Sequence, residues 1–182
     1  LNINNIDERY KNINRVNFNF DNSKNGKIIY SKDIKININE KDKIINIEQS
    51  NPLDWILFKS VDIKNWKINF FGKTKIVTGT DNSSRFNNQG LTGCLNFFNS
   101  NFENISFNIF ESRCEDGLNI VNSRGFIKSI YVKNSISDAV DFDFSNIEIN
   151  SLIVSNAGND CLDVSGGEYK IIKTDLDLCG DK

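Results

Sequence analysis

Polar and apolar residues alternate along most of this chain, and in its second half the alternation recurs at a fixed interval. Residues 116–120, 138–142 and 160–164 share the pattern Asp-x-apolar-(Asn/Asp)-apolar, and each copy begins 22 residues after the last. Alternation with a period of two is typical of a half-buried strand, and a constant interval of this size is typical of a solenoid. The pattern therefore predicts an all-β fold, a right-handed parallel β-helix with coils of about 22 residues.

The repeat divides the chain into two predicted regions. Residues 93–182 should form regular coils that continue beyond the chain end, because Asp181 begins a further copy 21 residues after Asp160. Residues 1–92 alternate in places without a common interval, which predicts irregular β coils or an N-terminal cap. Because the chain stops two residues into this further coil, begins with Leu1 and contains no methionine, we expect an internal piece of a longer protein or a processed product, with the rest of that protein as a partner.

A polar segment, residues 79–90, interrupts the predicted strands. A loop of a dozen residues within a solenoid usually lies at a coil corner, over one face. Asn and Ile together supply about a third of the chain, which suits a solenoid with Ile stacked inside and Asn at the corners.

Charge and composition exclude several classes of function. The net charge is −2 and the isoelectric point is near 5.3, so we expect no binding to nucleic acid. No stretch approaches 18 apolar residues, so we expect no membrane insertion. The chain contains no histidine, which excludes His-based triads and His-ligated zinc.

The four cysteines are predicted to be free, buried thiols. In the repeat register Cys94 shares a column with Cys161, and Cys114 shares one with Cys179. Each of these pairs is three coils apart, about 14 Å at the spacing of stacked strands. A disulfide requires Cα atoms within about 7 Å, so neither pair can form one.

Stacked coils convert repeated acids into columns of acids. Apolar Leu118, Val140 and Leu162 should point into the core, so the residue after each should point outward. That outward column, which we predict to be exposed and ligand-binding, contains Asn119, Asp141 and Asp163. A second column, at the adjacent corner, contains Asp116, Asp138, Asp160 and Asp181, for which capping of the corner turns is the main interpretation.

Uncompensated acids about 5 Å apart repel one another, so a cation is one candidate partner for the outward column. Hard cations prefer clustered oxygen ligands. We therefore predict weak Ca²⁺ binding by Asp141, Asp143 and Asp163, with Ca²⁺ as the one candidate cofactor. Asn159 is added to the predicted ligand-binding residues.

The repeat resembles the pectate-lyase-like parallel β-helix superfamily over residues 93–182. Within it, residues 137–141 and 158–162 look like the polygalacturonase segments Asn-Thr-Asp-Gly-Ile-Asp and Gly-Asp-Asp-Cys-Ile. That resemblance implies glycoside hydrolysis through Asp138 and Asp160. Asn159 stands where polygalacturonases have another acid, and their later histidine has no counterpart.

A closer resemblance is to the β-helix segments of bacterial surface proteins, including those attached to CotH-type spore-coat kinase domains. The matching stretches are residues 91–95, 114–120, 137–145, 158–166 and 179–182. It implies a module of a larger exported or cell-surface protein, without a known reaction.

Three functions are compatible with these patterns. The first is an envelope module that presents an acidic face to a polysaccharide or surface glycan, with Ca²⁺ as a candidate ligand. The alternative is a polygalacturonase-like glycoside hydrolase that uses Asp138 and Asp160 as its acid and base or nucleophile. The third is a scaffold that binds no ligand.

Overall fold

The computed structural model describes residues 13–17, 26–51, 54–72 and 91–180. These residues form thirteen strands and no helix, so the described part of the chain has no helix that could cross a membrane. The strands are β1 (Ile13–Asn17), β2 (Lys27–Ser31), β3 (Lys35–Asn39), β4 (Ile44–Glu48), β5 (Ile56–Lys59), β6 (Asp62–Lys64), β7 (Lys67–Phe71), β8 (Gly93–Phe98), β9 (Asn101–Phe110), β10 (Asp116–Val121), β11 (Arg124–Ser135), β12 (Asp138–Ala157) and β13 (Asp163–Cys179).

The strands from β5 onward stack in parallel as a β-solenoid of about five turns, which confirms the predicted coil architecture. The first turn is β5, β6 and β7, and the second is β8 and β9. The third is β10 and β11, whereas β12 and β13 each span almost a whole turn. One side of the solenoid consists of β5, β8, β10 and the beginnings of β12 and β13.

The register has the 22-residue interval expected from the sequence. Asp116 pairs with Asp138, and Leu118 pairs with Val140. The ladder continues to β13, where Asp141 pairs with Asp163. The predicted loop at residues 79–90 and the predicted start of a further coil at Asp181 lie outside the described residues.

The core lies inside the coils, where the apolar residues of successive turns stack. Leu118 and Val140 are completely buried, as predicted, and Leu162 in the last turn is half-buried against the core. Aromatic rings continue the stacking, with the ring centroids of Phe58 and Phe97 4.8 Å apart. Burial of such side chains, about 1.5–3 kcal/mol each, is the main force that holds the coils together.

The first strands pair differently from the later coils. β1 pairs antiparallel with β2, which pairs antiparallel with β5, and β3 pairs antiparallel with β4. β4 then pairs in parallel with β7 and joins the coils. Hairpin-like pairing therefore precedes the solenoid along the chain.

The prediction of free thiols was wrong. Cys94 is bonded to Cys114 and Cys161 to Cys179, and the Cα atoms of each pair are 5.3 Å apart. Cysteines in the same column of the repeat are three turns apart and are not the ones that bond. The bonds join different columns, because a chain that completes one turn returns beside its starting point after about 20 residues. Each disulfide therefore closes a single turn.

Candidate functional site

The candidate site is the outer surface of β5, β8, β10 and the first residues of β12 and β13, which we call the acidic face. Strand pairing places two columns of side chains on it. The first column contains Leu57, Asn96, Asn119, Asp141 and Asp163. The second column contains Lys59, Phe98, Val121, Asp143 and Ser165.

Only the later turns expose the acidic face. Asn119, predicted to be exposed, is completely buried, whereas Asp141 is half-buried and Asp163 is exposed. Alternation along a strand predicts which side of the sheet a residue occupies but not what covers that side. Both faces of β10 are buried, so the accessible part of the first column is Asp141 and Asp163.

The amides of the first column bind to their neighbours along the stack. Asn96 accepts from the backbone N–H of Gly93 at 2.9 Å and donates to the carbonyl of Ile56 at 3.0 Å. Asn119 Nδ2 donates to Asp141 Oδ2 at 2.7 Å. The Asn119 Oδ1 atom is buried and has no hydrogen-bond partner among the residues that the structure describes. The column is therefore structural in its early turns and becomes acidic where it reaches solvent.

Asp116 is a buried acid that sequence reasoning assigned only to a corner. Its side chain accepts a hydrogen bond from the Thr92 hydroxyl of the preceding turn. Burial, and next the negative charge of Asp141, raise the pKa of Asp116 to about 8. Since the charged form of a carboxyl is disfavoured away from water, Asp116 is mainly protonated at neutral pH.

Asp141 titrates near neutrality for related reasons. Burial, followed by the charges of Asp143 and Asp163, raises its pKa to about 7, while the hydrogen bond from Asn119 acts in the opposite direction. A carboxyl with such a pKa can both donate and accept hydrogen bonds close to neutral pH. Strongly shifted groups of this kind are enriched at functional sites.

Asp138 and Asp160, the predicted hydrolase pair, meet at a corner. Asp138 Oδ1 accepts from the backbone N–H of Asp160 at 2.9 Å and from Asn159 Nδ2 at 2.7 Å. Asp138 is only 9% exposed. These contacts give Asp138 the corner-capping role considered from the sequence, and they direct the amide of Asn159, a predicted ligand residue, toward Asp138.

The predicted calcium ligands are adjacent on the acidic face. Asp141 and Asp143 are two residues apart on β12, and Asp163 pairs with Asp141 on β13. Within the described residues, no group of three or more His, Cys, Asp or Glu side chains is arranged to hold a metal ion. Calcium binding by these three acids stays a prediction.

Sequence reasoning missed a column of left-handed backbone at the edge of the acidic face. Ser60, Asn99, Asn122, Phe144 and Gly166 follow one another up this corner, and all have positive φ. Asn and Gly tolerate such a conformation, but for a bulky side chain it costs about 1–3 kcal/mol. Phe144 is nevertheless 71% exposed there. Asn122, Phe144 and Gly166 follow one another at intervals of 22 residues, and this repeat interval was the sequence signal.

No family model, curated protein or solved structure matched this chain. The geometry of the acidic face and the motif resemblances are therefore the basis for a functional proposal.

Proposed function

We propose that this chain is a β-helix module of a larger exported or envelope protein and that it binds a neutral polysaccharide or surface glycan on its acidic face. The observation that carries the proposal is the pair Asp141 and Asp163, which lie in register on adjacent turns and reach solvent. Carboxylates accept hydrogen bonds from hydroxyl groups, and a regular ladder of them suits a polymer with regularly spaced hydroxyls.

Charge favours a neutral glycan over an acidic one. Asp143 and Asp163 add to the negative potential around Asp141. A polyanion placed on such a surface is repelled, and like-charge contacts are an effective way to reject the wrong partner.

Export is supported by the two disulfides. Disulfides form and persist mainly in oxidising compartments, such as the cell exterior and the bacterial periplasm. The likeness of residues 114–120 and 158–166 to envelope β-helix segments agrees with this location.

Binding can be tested by calorimetry with cellohexaose, laminarihexaose and chitohexaose. We expect at least one of these neutral oligosaccharides to bind. Asp163→Asn should weaken binding about tenfold or more, because a hydrogen bond to a charged group contributes about 1.5–3 kcal/mol. Asp163 is exposed, so this substitution leaves the fold intact.

Glu148→Gln is the matched control. Glu148 lies in a later segment of β12 and forms an ion pair with Lys170 at 3.1 Å, away from the acidic face. The Glu148→Gln variant should bind the oligosaccharide with the affinity of the unmodified protein. Equal weakening by both substitutions would contradict the assignment of the acidic face, and no binding to any oligosaccharide would favour the scaffold interpretation.

Calcium is proposed as an additional ligand at Asp141, Asp143 and Asp163. Calorimetric titration with CaCl2 and a thermal shift in millimolar calcium test it. A heat of calcium binding that the unmodified protein shows and the Asp143→Asn variant lacks would support a calcium site at these three acids. If polygalacturonate bound only with calcium while the neutral sugars did not bind, the ligand would be an acidic glycan bridged by the cation.

A further inference from the structure

We propose that Phe144 is the platform on which a pyranose ring of the bound glycan stacks. The inference rests on the proposed function and names a residue that neither the repeat nor the resemblances assigned. Its basis is the contrast between Phe144 and the rest of its corner column. The earlier turns have Ser60, Asn99 and Asn122 at this corner, whereas the turn formed by β12 has an aromatic ring that faces solvent.

The backbone of Phe144 is unfavourable for its own side chain. Its φ is 49°, in the left-handed region that bulky residues rarely occupy. Asparagine, the residue one turn earlier at Asn122, fits that conformation better. The same positive φ occurs at this corner in the earlier turns, so the coil imposes this backbone conformation on Phe144 and fixes where its side chain leaves the backbone.

Hydrogen bonds on both sides hold this conformation. The carbonyl of Asp143 accepts from the Asn122 N–H and from the Ser145 hydroxyl, both at 2.9 Å. The Ser145 N–H donates to the Tyr169 hydroxyl at 3.1 Å, which in turn donates to the carbonyl of Phe142. Ser145 is completely buried. The residues flanking Phe144 are therefore anchored, and its ring is presented by a fixed segment.

The next turn supports the ring from one side. A Cβ atom added to Gly166 would lie 2.8 Å from Phe144 Cδ1 and 3.1 Å from Cε1. Only glycine leaves room for the ring to lie against the backbone at this point. With 71% of the residue still exposed, the remaining ring surface is open to a ligand.

The chemistry around the ring fits a sugar. The face of an aromatic ring is electron-rich, and the C–H groups on one face of a pyranose are weakly positive and apolar. Asp143 precedes Phe144 on the acidic face and, with Asp141 and Asp163, supplies hydrogen-bond acceptors for hydroxyl groups. The ring would therefore contact the apolar face of a sugar while the neighbouring acids accept hydrogen bonds from its hydroxyl groups.

A second position offers a matched control. Leu178 has φ 55° and is 67% exposed at another corner, where Asn134 and Asn156 occupy the earlier turns. It shares the strained backbone and the exposed apolar side chain of Phe144 but has no aromatic ring. Leu178→Asn therefore shows how the relief of backbone strain alone changes the Tm and the oligosaccharide affinity.

The test compares Phe144→Asn, Phe144→Trp and Leu178→Asn by thermal unfolding and by calorimetry with the neutral hexasaccharide that the unmodified protein binds. We expect Phe144→Asn to raise the Tm yet weaken binding about tenfold. Phe144→Trp should retain binding. Leu178→Asn should raise the Tm and leave binding unchanged.

The outcomes separate this inference from the proposed function. If the unmodified protein binds and Phe144→Asn binds equally well, the platform is rejected while the proposed function stands. If the unmodified protein binds no oligosaccharide, both are rejected. If sedimentation shows a dimer that Phe144→Asn dissociates without a change in sugar affinity, Phe144 is a contact between copies, and the platform is again rejected.

Discussion

At the scale of single residues, the surroundings of each aspartate decide its role in the structure. Burial keeps Asp116 protonated at neutral pH by raising its pKa, although the hydrogen bond from the Thr92 hydroxyl acts in the opposite direction. Asp138 instead accepts two hydrogen bonds from donors at the next corner. Two aspartates of the same column therefore have different roles: Asp116 is a buried, protonated side chain, and Asp138 caps the backbone of the next turn.

Asp116 should make the stability depend on pH. Its folded-state pKa, about 8, is above the ordinary value of 3.8, so the folded protein retains a proton that the unfolded chain releases. This stabilisation is fully present below about pH 4 and is lost as the pH rises toward 8, with a slope of at most about 1.4 kcal/mol per pH unit for one carboxyl. Urea unfolding at pH 5, 6, 7 and 8 should show the decline.

Asp116→Asn is the corresponding variant. It removes the titrating group but keeps a polar side chain near Thr92, so the decline with pH should become shallower. The remaining slope should come mainly from Asp141, whose pKa is raised to about 7. A variant with the slope of the unmodified protein would show that Asp116 is not the source.

The Asp138→Ala variant tests whether Asp138 caps the corner turn, and an activity assay tests whether it is catalytic. Loss of the cap at Asp160 N–H should lower the free energy of unfolding by about 1 kcal/mol or more. We expect the unmodified protein to release no new reducing ends from polygalacturonate or from neutral polysaccharides. Turnover that disappears in Asp138→Asn or Asp160→Asn would instead establish the hydrolase alternative.

At the scale of elements, the disulfides close individual turns of the solenoid. Cys161–Cys179 closes the last described turn, which pairs with one other turn among the described residues and is the most exposed of them. Cys94–Cys114 closes a turn that has a neighbouring turn on either side, and Gln49 lies against both of its sulfur atoms. Cys94–Cys114 therefore restrains an inner turn of the solenoid, and Cys161–Cys179 restrains the last described turn.

Removal of the bond in the last turn should loosen that turn. Closing a loop of about 20 residues lowers the entropy of the unfolded chain by an amount worth about 3 kcal/mol. We expect the double variant Cys161→Ala/Cys179→Ala to lose amide protection first in β13, as followed by hydrogen exchange. Uniform loss of protection across β8, β10 and β13 would contradict the assignment of this bond to the last turn.

At the scale of the whole molecule, the sequence predicted what depends on repetition. Alternation and the 22-residue interval were sufficient for the coils, for the stacking of Leu118 on Val140 and for the acidic column, because stacked turns superpose equivalent positions. The disulfides, the burial of Asn119 and the exposure of Phe144 depend on contacts between columns and on cover from outside the repeat. Neither these contacts nor this cover can be predicted from the repeat interval of one column of residues.

Hydrogen exchange with and without the bound neutral hexasaccharide shows whether the acidic face binds a glycan. We expect added protection confined to residues 141–145 and 163–167, where the exposed acids and Phe144 lie. Protection centred instead on residues 126–133, on another side of the coils, or no change in protection at a saturating sugar concentration, would contradict this expectation.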